Sequence, residues 1–168
     1  VLDINYYGCH FDKKTLSDKK LKIFYGDCDN KKIMDKAMSD CSDVIHLGEI
    51  VGDPAVNIDQ NFSIKNNFEN TVFVMSECIK KKINKFIFAS SCSVYGNVTY
   101  ECNEKSKLNP VSLYAKCKRE CEKSILAFKS KKCCPVILRL STVYGDSPRK
   151  RFDLVANRFV IMAIKKIK

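Results

Sequence analysis

Three side chains in the sequence have the types and the spacing that proton transfer needs. Tyr114 and Lys118 lie four residues apart at the start of a stretch with helical periodicity, so one helix face would hold the ammonium near the phenol. A nearby cation favours the phenolate of a tyrosine, whose free pKa is about 10. Ser91 ends a hydrophobic run 23 residues before Tyr114. The three residues therefore predict a site where Tyr114 acts as a base and Ser91 binds a substrate oxygen.

Either half of this constellation alone has an ordinary explanation. A Tyr-x-x-x-Lys pair in a lysine-rich chain is usually a surface pair, and a serine after a strand is usually part of a turn. The elements that carry the residues therefore decide between the two interpretations.

Short β-branched runs alternate with longer helical stretches along the chain. The predicted strands are residues 1–3, 21–25, 43–47, 85–91 and 135–140. The predicted helices are residues 31–41, 62–82, 112–129 and 152–166. Strands joined by helices require crossover connections, which predicts an α/β fold with a mainly parallel sheet and helices on both faces. Ligands of such sheets bind beyond the carboxyl ends of the strands.

Composition limits the possible partners. The 168 residues suffice for one domain, no apolar run reaches bilayer length, and the first residues do not resemble a signal peptide. We therefore expect a cytoplasmic protein without membrane contact. The net charge of +11 raises the alternative of a nucleic-acid-binding protein, which would bind duplex tightly and salt-sensitively. The lysine runs are scattered without interleaved aromatic residues, so we predict no nucleic-acid partner.

The ten cysteines suggest a disulfide framework or a metal site until their spacing is considered. No two of them form a C-x-x-C pair, and neither His10 nor His46 stands near them in a ligand pattern. We therefore predict reduced thiols and no metal.

Several segments match one family in the same order along the chain. They are F-I-F-A-S-S-C-S-V-Y-G at 86–96, P-V-S-L-Y-A-K-C-K at 110–118, the loop at 43–54, N-F-E-N-T at 67–71 and L-R-L-S-T-V-Y-G at 138–145. Together they resemble the extended short-chain dehydrogenase/reductase family, in particular its NAD-dependent epimerase/dehydratase group, which includes UDP-glucose 4-epimerases. The resemblance extends over nearly the whole chain.

The resemblance implies a role for each matching position. The cofactor NAD would be bound by Asp3 at the adenosine ribose, Asp27 and Cys28 beside the adenine, Leu47 and Gly48 through their backbone, Asn67 as a brace of that loop, and Tyr114 and Lys118 at the nicotinamide end. Tyr114 would be the base that removes a hydroxyl proton as hydride leaves. Lys118 would hold the nicotinamide ribose and depress the tyrosine pKa, and Ser91 would orient the sugar hydroxyl.

The implied protein is an NAD-dependent nucleotide-sugar epimerase, or a related sugar oxidoreductase, that transfers hydride at a sugar hydroxyl. The resemblance also implies a nucleotide-sugar partner and a homodimer through the helices that contain Asn67 and Tyr114.

The sequence departs from the family in three places. The six glycines form no G-x-x-G-x-x-G cluster, so we expect a Rossmann-like doubly wound parallel sheet that lacks the first strand and the glycine-rich loop. Residues 1–168 would then be a partial NAD-binding domain without the C-terminal substrate domain. Glu49 stands where the family has a small residue near the cofactor, and Cys92–Ser93 stand where dehydratases have an Asp-Glu pair.

These departures leave one alternative open. The chain would then be a catalytically silent Rossmann-like remnant that serves as a dimerising or binding module. Saturable NAD binding would distinguish the enzyme from the remnant.

Overall fold

The computed structural model describes residues 1–8, 11–128, 133–148 and 151–166. The strands are β1 (Leu2–Asp3), β2 (Phe24–Tyr25), β3 (Asp43–His46), β4 (Lys85–Ser91) and β5 (Cys134–Leu140). The helices are α1 (Lys13–Leu16), α2 (Lys31–Ala37), α3 (Asp53–Val56), α4 (Gln60–Ile64), α5 (Asn70–Lys80), α6 (Leu113–Ala127) and α7 (Val155–Lys165), with a π-helical segment at Lys65–Glu69 and a 3-10 turn at Cys92–Tyr95.

The strands form two separate parallel ladders. β1 pairs with β2, and β4 lies between β3 and β5 in the order β3-β4-β5. Every pair is parallel, with Leu2 opposite Phe24 and Phe86 opposite both Val44 and Pro135. No strand among the described residues bridges the two ladders. The predicted α/β class with parallel pairing is confirmed, and the break falls where a doubly wound sheet has its first strand.

β4 is the centre of the larger ladder, and its side chains alternate between two faces. Phe86 and Phe88 are fully buried because α5 and α6 pack on their side of the ladder. The residues of that core are Met34, Met38, Val74, Met75, Cys78, Ile83, Phe86, Phe88, Cys121, Ile125 and Cys133. The opposite face is open in the described part of the chain, where Ile45 on β3 is 64% exposed and Leu138 on β5 is 42% exposed.

The helix before β4 differs from its prediction. It was predicted over 62–82; it begins at Gln60 and contains the π-helical segment Lys65–Glu69. Such a segment widens the helix by one residue per turn and often occurs at functional sites. It buries Asn66 and Asn67, and the carbonyl oxygen of Asn67 accepts hydrogen bonds from the Thr71 hydroxyl at 2.9 Å and the Cys121 thiol at 2.9 Å. Asn67 is thereby fixed between α5 and α6.

Smaller differences concern short elements. The strand predicted at 21–25 contains only Phe24–Tyr25, because β1 offers just two residues to pair with. Two short helices were missed, although Asp12 caps α1 by accepting from the Thr15 N–H at 2.6 Å and Pro54 stands in the first turn of α3. Both are known helix-start signals.

Nine cysteines are free thiols in this structure; Cys9 and His10 lie outside the described residues. Within the described ranges no three His, Cys, Asp or Glu side chains come together as a metal site. No helix in those ranges is both long and apolar enough to span a membrane.

The turn after β4 depends on Gly96. Its φ is +76°, and a Cβ there would overlap the carbonyl oxygen of Asn109, whose N–H donates to Val94 at 3.0 Å. We expect Gly96→Ala to lower the free energy of unfolding by about 3 kcal/mol, from positive-φ strain and the clash together. Urea denaturation measures the change. Gly145→Ala is the control, because its φ is +128° with open space around it, and it should lose only about 1 kcal/mol. Equal losses in the two variants would contradict the proposed clash.

Candidate active site

Ser91 stands at the carboxyl end of β4, where the strand turns into the 3-10 segment. Its backbone is extended and its hydroxyl oxygen caps the turn, accepting from the Ser93 N–H at 3.2 Å and from the Ser93 hydroxyl at 2.9 Å. The strand therefore places this hydroxyl at the sheet edge, and the turn fixes its direction.

α6 places the other two residues of the constellation. Ser112 caps the helix by accepting from the Ala115 N–H at 3.2 Å, which sets Tyr114 in the first turn and Lys118 one turn later. The Lys118 ammonium lies 5.5 Å from the centre of the Tyr114 ring and 4.7 Å from that of the Phe88 ring. The Ser91 side chain is close enough to the Tyr114 phenol to favour its ionised form and act against the rise of its pKa. The structure thus brings Ser91, Tyr114 and Lys118 together.

The ammonium of Lys118 already has two close partners. It donates to a carboxylate oxygen of Glu49 and to the backbone carbonyl of Ala89. Both side chains of the ion pair are only 3% exposed. The second carboxylate oxygen of Glu49 is buried and has no hydrogen-bond partner in the described part of the chain. A buried, half-satisfied carboxylate is costly to ionise.

Burial in this site raises the pKa of both Glu49 and Tyr114. Burial raises the pKa of Glu49 to about 7, although the Lys118 ammonium acts in the opposite direction. Burial, followed by the negative charge of Glu49, raises the pKa of Tyr114 to about 12, and the Ser91 side chain only partly offsets this rise. The predicted lowering of the Tyr114 pKa by Lys118 is therefore not found, because burial raises this pKa and the charge of Glu49 adds to the rise.

Asn67 holds the loop that follows β3. Its side-chain oxygen accepts from the Ile50 N–H at 2.8 Å and its amide donates to the Ile50 carbonyl at 2.8 Å. These two hydrogen bonds fix the loop backbone that contains Leu47, Gly48 and Glu49. Leu47 is 67% exposed and Gly48 has open space around it, so the backbone here is accessible to a ligand.

The carboxyl ends of β1 and β2 carry the remaining predicted residues. The ladder places Asp3 and Asp27 at one edge, where the Gly26 N–H donates to the Asp3 carbonyl at 3.0 Å. The Asp27 carboxylate accepts from the Asn70 amide at 3.2 Å, which ties this edge to the helix that carries Asn67. Burial and the adjacent Asp27 raise the pKa of the half-buried Cys28 thiol to about 12, so Cys28 is a neutral, partly apolar wall.

Sequence reasoning missed a buried network directly beneath the site. Glu122 accepts from the Ser90 hydroxyl at 2.5 Å and from Arg139 through Nε at 3.0 Å and a terminal nitrogen at 2.7 Å. Arg139 also donates to the Tyr95 hydroxyl at 3.0 Å. The network joins α6, the end of β4, the 3-10 turn and β5. The available signal was spacing, because Tyr114, Lys118 and Glu122 recur every four residues on one helix face.

The sequence matches the model of the "NAD dependent epimerase/dehydratase family" over residues 7–168. The chain therefore belongs to this family of NAD-dependent, short-chain dehydrogenase-type enzymes. Among curated proteins it is 38% identical to the "Uncharacterized UDP-glucose epimerase YtcB" of Bacillus subtilis over 88 residues, which cover 52% of this chain and 27% of that protein. It is 26% identical to the dTDP-D-glucose 4,6-dehydratase of Dictyostelium discoideum over 94% of this chain and 38% of that protein.

Solved structures give the same fold. The UDP-glucuronic acid 4-epimerase from Bacillus cereus, determined in complex with NAD, superposes with a TM-score of 0.79 at 26% identity, over 92% of this chain and 48% of that chain. The chain thus spans about half the length of this structural relative, and 27% and 38% of the two curated ones.

The residues present fit the cofactor that the family name implies, with one exception. Asp3 and Asp27 would offer carboxylates to the adenosine end of this cofactor, and the accessible loop at Gly48 leaves room beside the strand ends. The ammonium that would face the nicotinamide ribose, that of Lys118, is paired with the buried Glu49, whose second oxygen has no hydrogen-bond partner among the described residues. NAD would therefore have to compete with Glu49 for Lys118.

The raised pKa of Glu49 should make the free energy of unfolding depend on pH. Between about pH 4.5 and pH 7, Glu49 stays protonated in the folded protein but is ionised in the unfolded chain. Protonation of Glu49 therefore adds to the free energy of unfolding in full below about pH 4.5, and this addition is lost by about pH 7. We expect it to amount to about 3 kcal/mol. His46 acts in the opposite direction, because burial lowers its pKa to about 4. The measurement is therefore the difference in unfolding free energy between wild type and Glu49→Gln at pH 4.5 and pH 7.5, since His46 is common to both. A pH-independent difference would contradict the raised pKa.

Proposed function

We propose that this chain is the NAD-binding and catalytic core of a nucleotide-sugar epimerase, with Tyr114 as the base. The observation that carries the proposal is the convergence of Ser91, Tyr114 and Lys118 at the carboxyl end of β4. This is the edge where parallel α/β sheets bind their ligands. Family membership and the epimerases among the relatives support it.

Each residue of the constellation has one task in the reaction. Bound NAD would supply reversible hydride acceptance from the carbon of a sugar hydroxyl. The Ser91 hydroxyl, directed by the turn after β4, would hydrogen-bond the sugar hydroxyl and orient it towards Tyr114. The Tyr114 oxygen would take the hydroxyl proton and later return it, with the Lys118 ammonium stabilising the phenolate. Loss of the hydroxyl proton to Tyr114 and of hydride to the cofactor would convert the carbon and its hydroxyl into a ketone. Return of the hydride to the other face of that carbon, and of the proton to its oxygen, would invert the carbon.

An epimerase is favoured over a dehydratase by the turn after Ser91. Elimination of water requires an acid and a base beside the sugar, and the family resemblance expects an Asp-Glu pair for this role. Here Cys92 and Ser93 occupy those positions, and the Ser93 hydroxyl is bonded to Ser91. The chain is therefore similar in sequence to a dehydratase but does not contain the Asp-Glu pair expected for elimination.

The proposal includes a glycine-rich phosphate-binding segment and a first strand from the same protein, which would lie between the two ladders. Its support is the second edge of β3, which no strand pairs with among the described residues, together with the absence of a glycine cluster from the sequence. The coding sequence upstream of Val1 tests this part; an in-frame strand and glycine-rich loop there would support it.

The nucleotide-sugar substrate, a homodimer and a cytoplasmic location complete the proposal. The dimer would use the helices that contain Asn67 and Tyr114, on which Leu126 of α6 is 62% exposed among charged neighbours. Sedimentation analysis of wild type and Leu126→Glu tests it, since a dimer should dissociate in the variant. A wild-type protein that sediments as a monomer would contradict this part.

A silent remnant is the second candidate, and one observation favours it. Glu49 engages the ammonium that the cofactor needs, and a carboxylate near the pyrophosphate would repel it. NAD titration by calorimetry separates the candidates. We expect saturable binding, which Asp3→Ala should weaken and Asp18→Ala, an exposed acid away from the strand ends, should not. No binding in a chain that also contains the glycine-rich segment would favour the remnant.

Substitutions in the constellation test the roles directly. We expect Tyr114→Phe to abolish epimerisation and leave NAD affinity nearly unchanged, because the variant loses the proton acceptor and little contact area. Lys118→Ala should impair both. Ser91→Ala should lower kcat about 10²–10³-fold, the scale for one positioned hydrogen-bonding group. Steady-state rates and calorimetry on the protein that contains this chain measure both quantities. Near-normal rates in Tyr114→Phe would refute the assignment of the base.

A further inference from the structure

Glu49 is a buried ionisable residue of the site that the proposed reaction does not use. It follows β3 on the loop that Asn67 clamps, so its backbone position is fixed. Its side chain is 3% exposed and reaches the ammonium of Lys118 on α6. The other carboxylate oxygen has no hydrogen-bond partner in the described residues. A carboxylate so placed is held by the fold, and it is not a solvated surface charge.

The ion pair has a geometric consequence for the base. The ammonium of Lys118 is drawn to Glu49 and to the Ala89 carbonyl, and it stands 5.5 Å from the centre of the Tyr114 ring. The cation that would stabilise the phenolate is thus neutralised by a carboxylate, and the carboxylate adds a like charge near the phenol. Both effects oppose loss of the Tyr114 proton.

We propose that Glu49 is a positioning residue that holds Lys118 in a resting arrangement, and that NAD must displace this carboxylate to complete the site. The inference rests on the proposed function for its cofactor, but the resting arrangement itself exists without ligand. Above neutral pH the carboxylate competes with the ribose hydroxyls for the ammonium. In its neutral form it releases the ammonium and carries no charge to repel the cofactor's phosphates.

The pH range of this exchange follows from the surroundings of Glu49. The groups that face the ion pair are Tyr114, Cys117 and Cys121 on α6, His46 on β3, and, around Tyr114, Asp53, Cys92 and Arg151. Burial keeps His46 neutral above about pH 4, and it raises the pKa of Cys121 and of Tyr114 to about 12. Glu49, with a pKa of about 7, is the buried member of this group that changes charge between pH 6 and pH 8.

The first test needs no cofactor. Tyrosines labelled with ¹³C at Cζ report their ionisation by NMR, and Tyr114→Phe identifies the signal among the seven tyrosines. In Glu49→Gln we expect the midpoint of Tyr114 to fall by about one to two pH units. This fall should be larger with Lys118 present than in a Lys118→Met background. Only the protein with Lys118 has an ammonium that Glu49→Gln frees to stabilise the phenolate. Glu101→Gln, an exposed acid, is the control. An unchanged Tyr114 midpoint in Glu49→Gln would overturn the inference, whether or not NAD binds.

The second test measures NAD affinity in the protein that contains this chain. Wild type should bind NAD about tenfold more tightly at pH 6 than at pH 8. The reason is that a single group with a pKa of about 7 is roughly ten times more protonated at pH 6 than at pH 8. Glu49→Gln should bind equally at both values, as tightly as wild type at pH 6. A pH dependence that persists in Glu49→Gln would overturn the inference.

Should Glu49→Gln not fold, the double variant Glu49→Gln with Lys118→Met removes both buried charges. The Tyr114 midpoint is then compared between this double variant and wild type. A shifted Tyr114 midpoint with no NAD binding in any protein would support the resting arrangement and refute the proposed function.

Discussion

The buried ion pair between Lys118 and Glu49 is the interaction on which the chemistry of this site depends. It joins α6 to the loop after β3, and it lies over Phe88, the buried centre of the sheet. Breaking such a pair by removing one partner leaves an isolated buried charge and usually costs several kcal/mol. The pair therefore constrains both the fold and the electrostatics. Burial is the larger cause of the raised unliganded pKa of Tyr114, and the charge of Glu49 adds to it.

The structure supports this pair from two sides. On one side, the π-helical segment turns Asn67 towards Ile50 and fixes the loop that carries Glu49. On the other, Glu122 and Arg139 tie α6 to the end of β4. These two supports fix the backbone positions of Ser91, Tyr114 and Lys118 before any ligand binds. Preorganisation of this kind reduces the orientation that binding must supply.

The sequence alone predicted the strand at 85–91 with the bounds that β4 has, because alternating aromatic residues and a serine end leave little choice. It also predicted the approach of Tyr114 to Lys118, since helical spacing is local. The ion pair with Glu49, 69 residues away in sequence, and the bonds of Glu122 to Arg139 were not predicted, because no local pattern encodes contacts between separate elements. The lowered Tyr114 pKa was predicted wrongly because no local pattern encodes the burial of the phenol, which raises this pKa most, or the nearby charge of Glu49.

In the proposed reaction, Tyr114 removes a proton from a sugar hydroxyl while hydride passes to NAD. The most direct measurement is a stopped-flow experiment at 340 nm in which UDP-glucose, the sugar nucleotide in the name of one relative, is mixed with the NAD-loaded protein that contains this chain. We predict a transient rise in absorbance from reduced cofactor in wild type and none in Tyr114→Phe with NAD equally bound. A rise of the same rate and size in Tyr114→Phe would contradict the account.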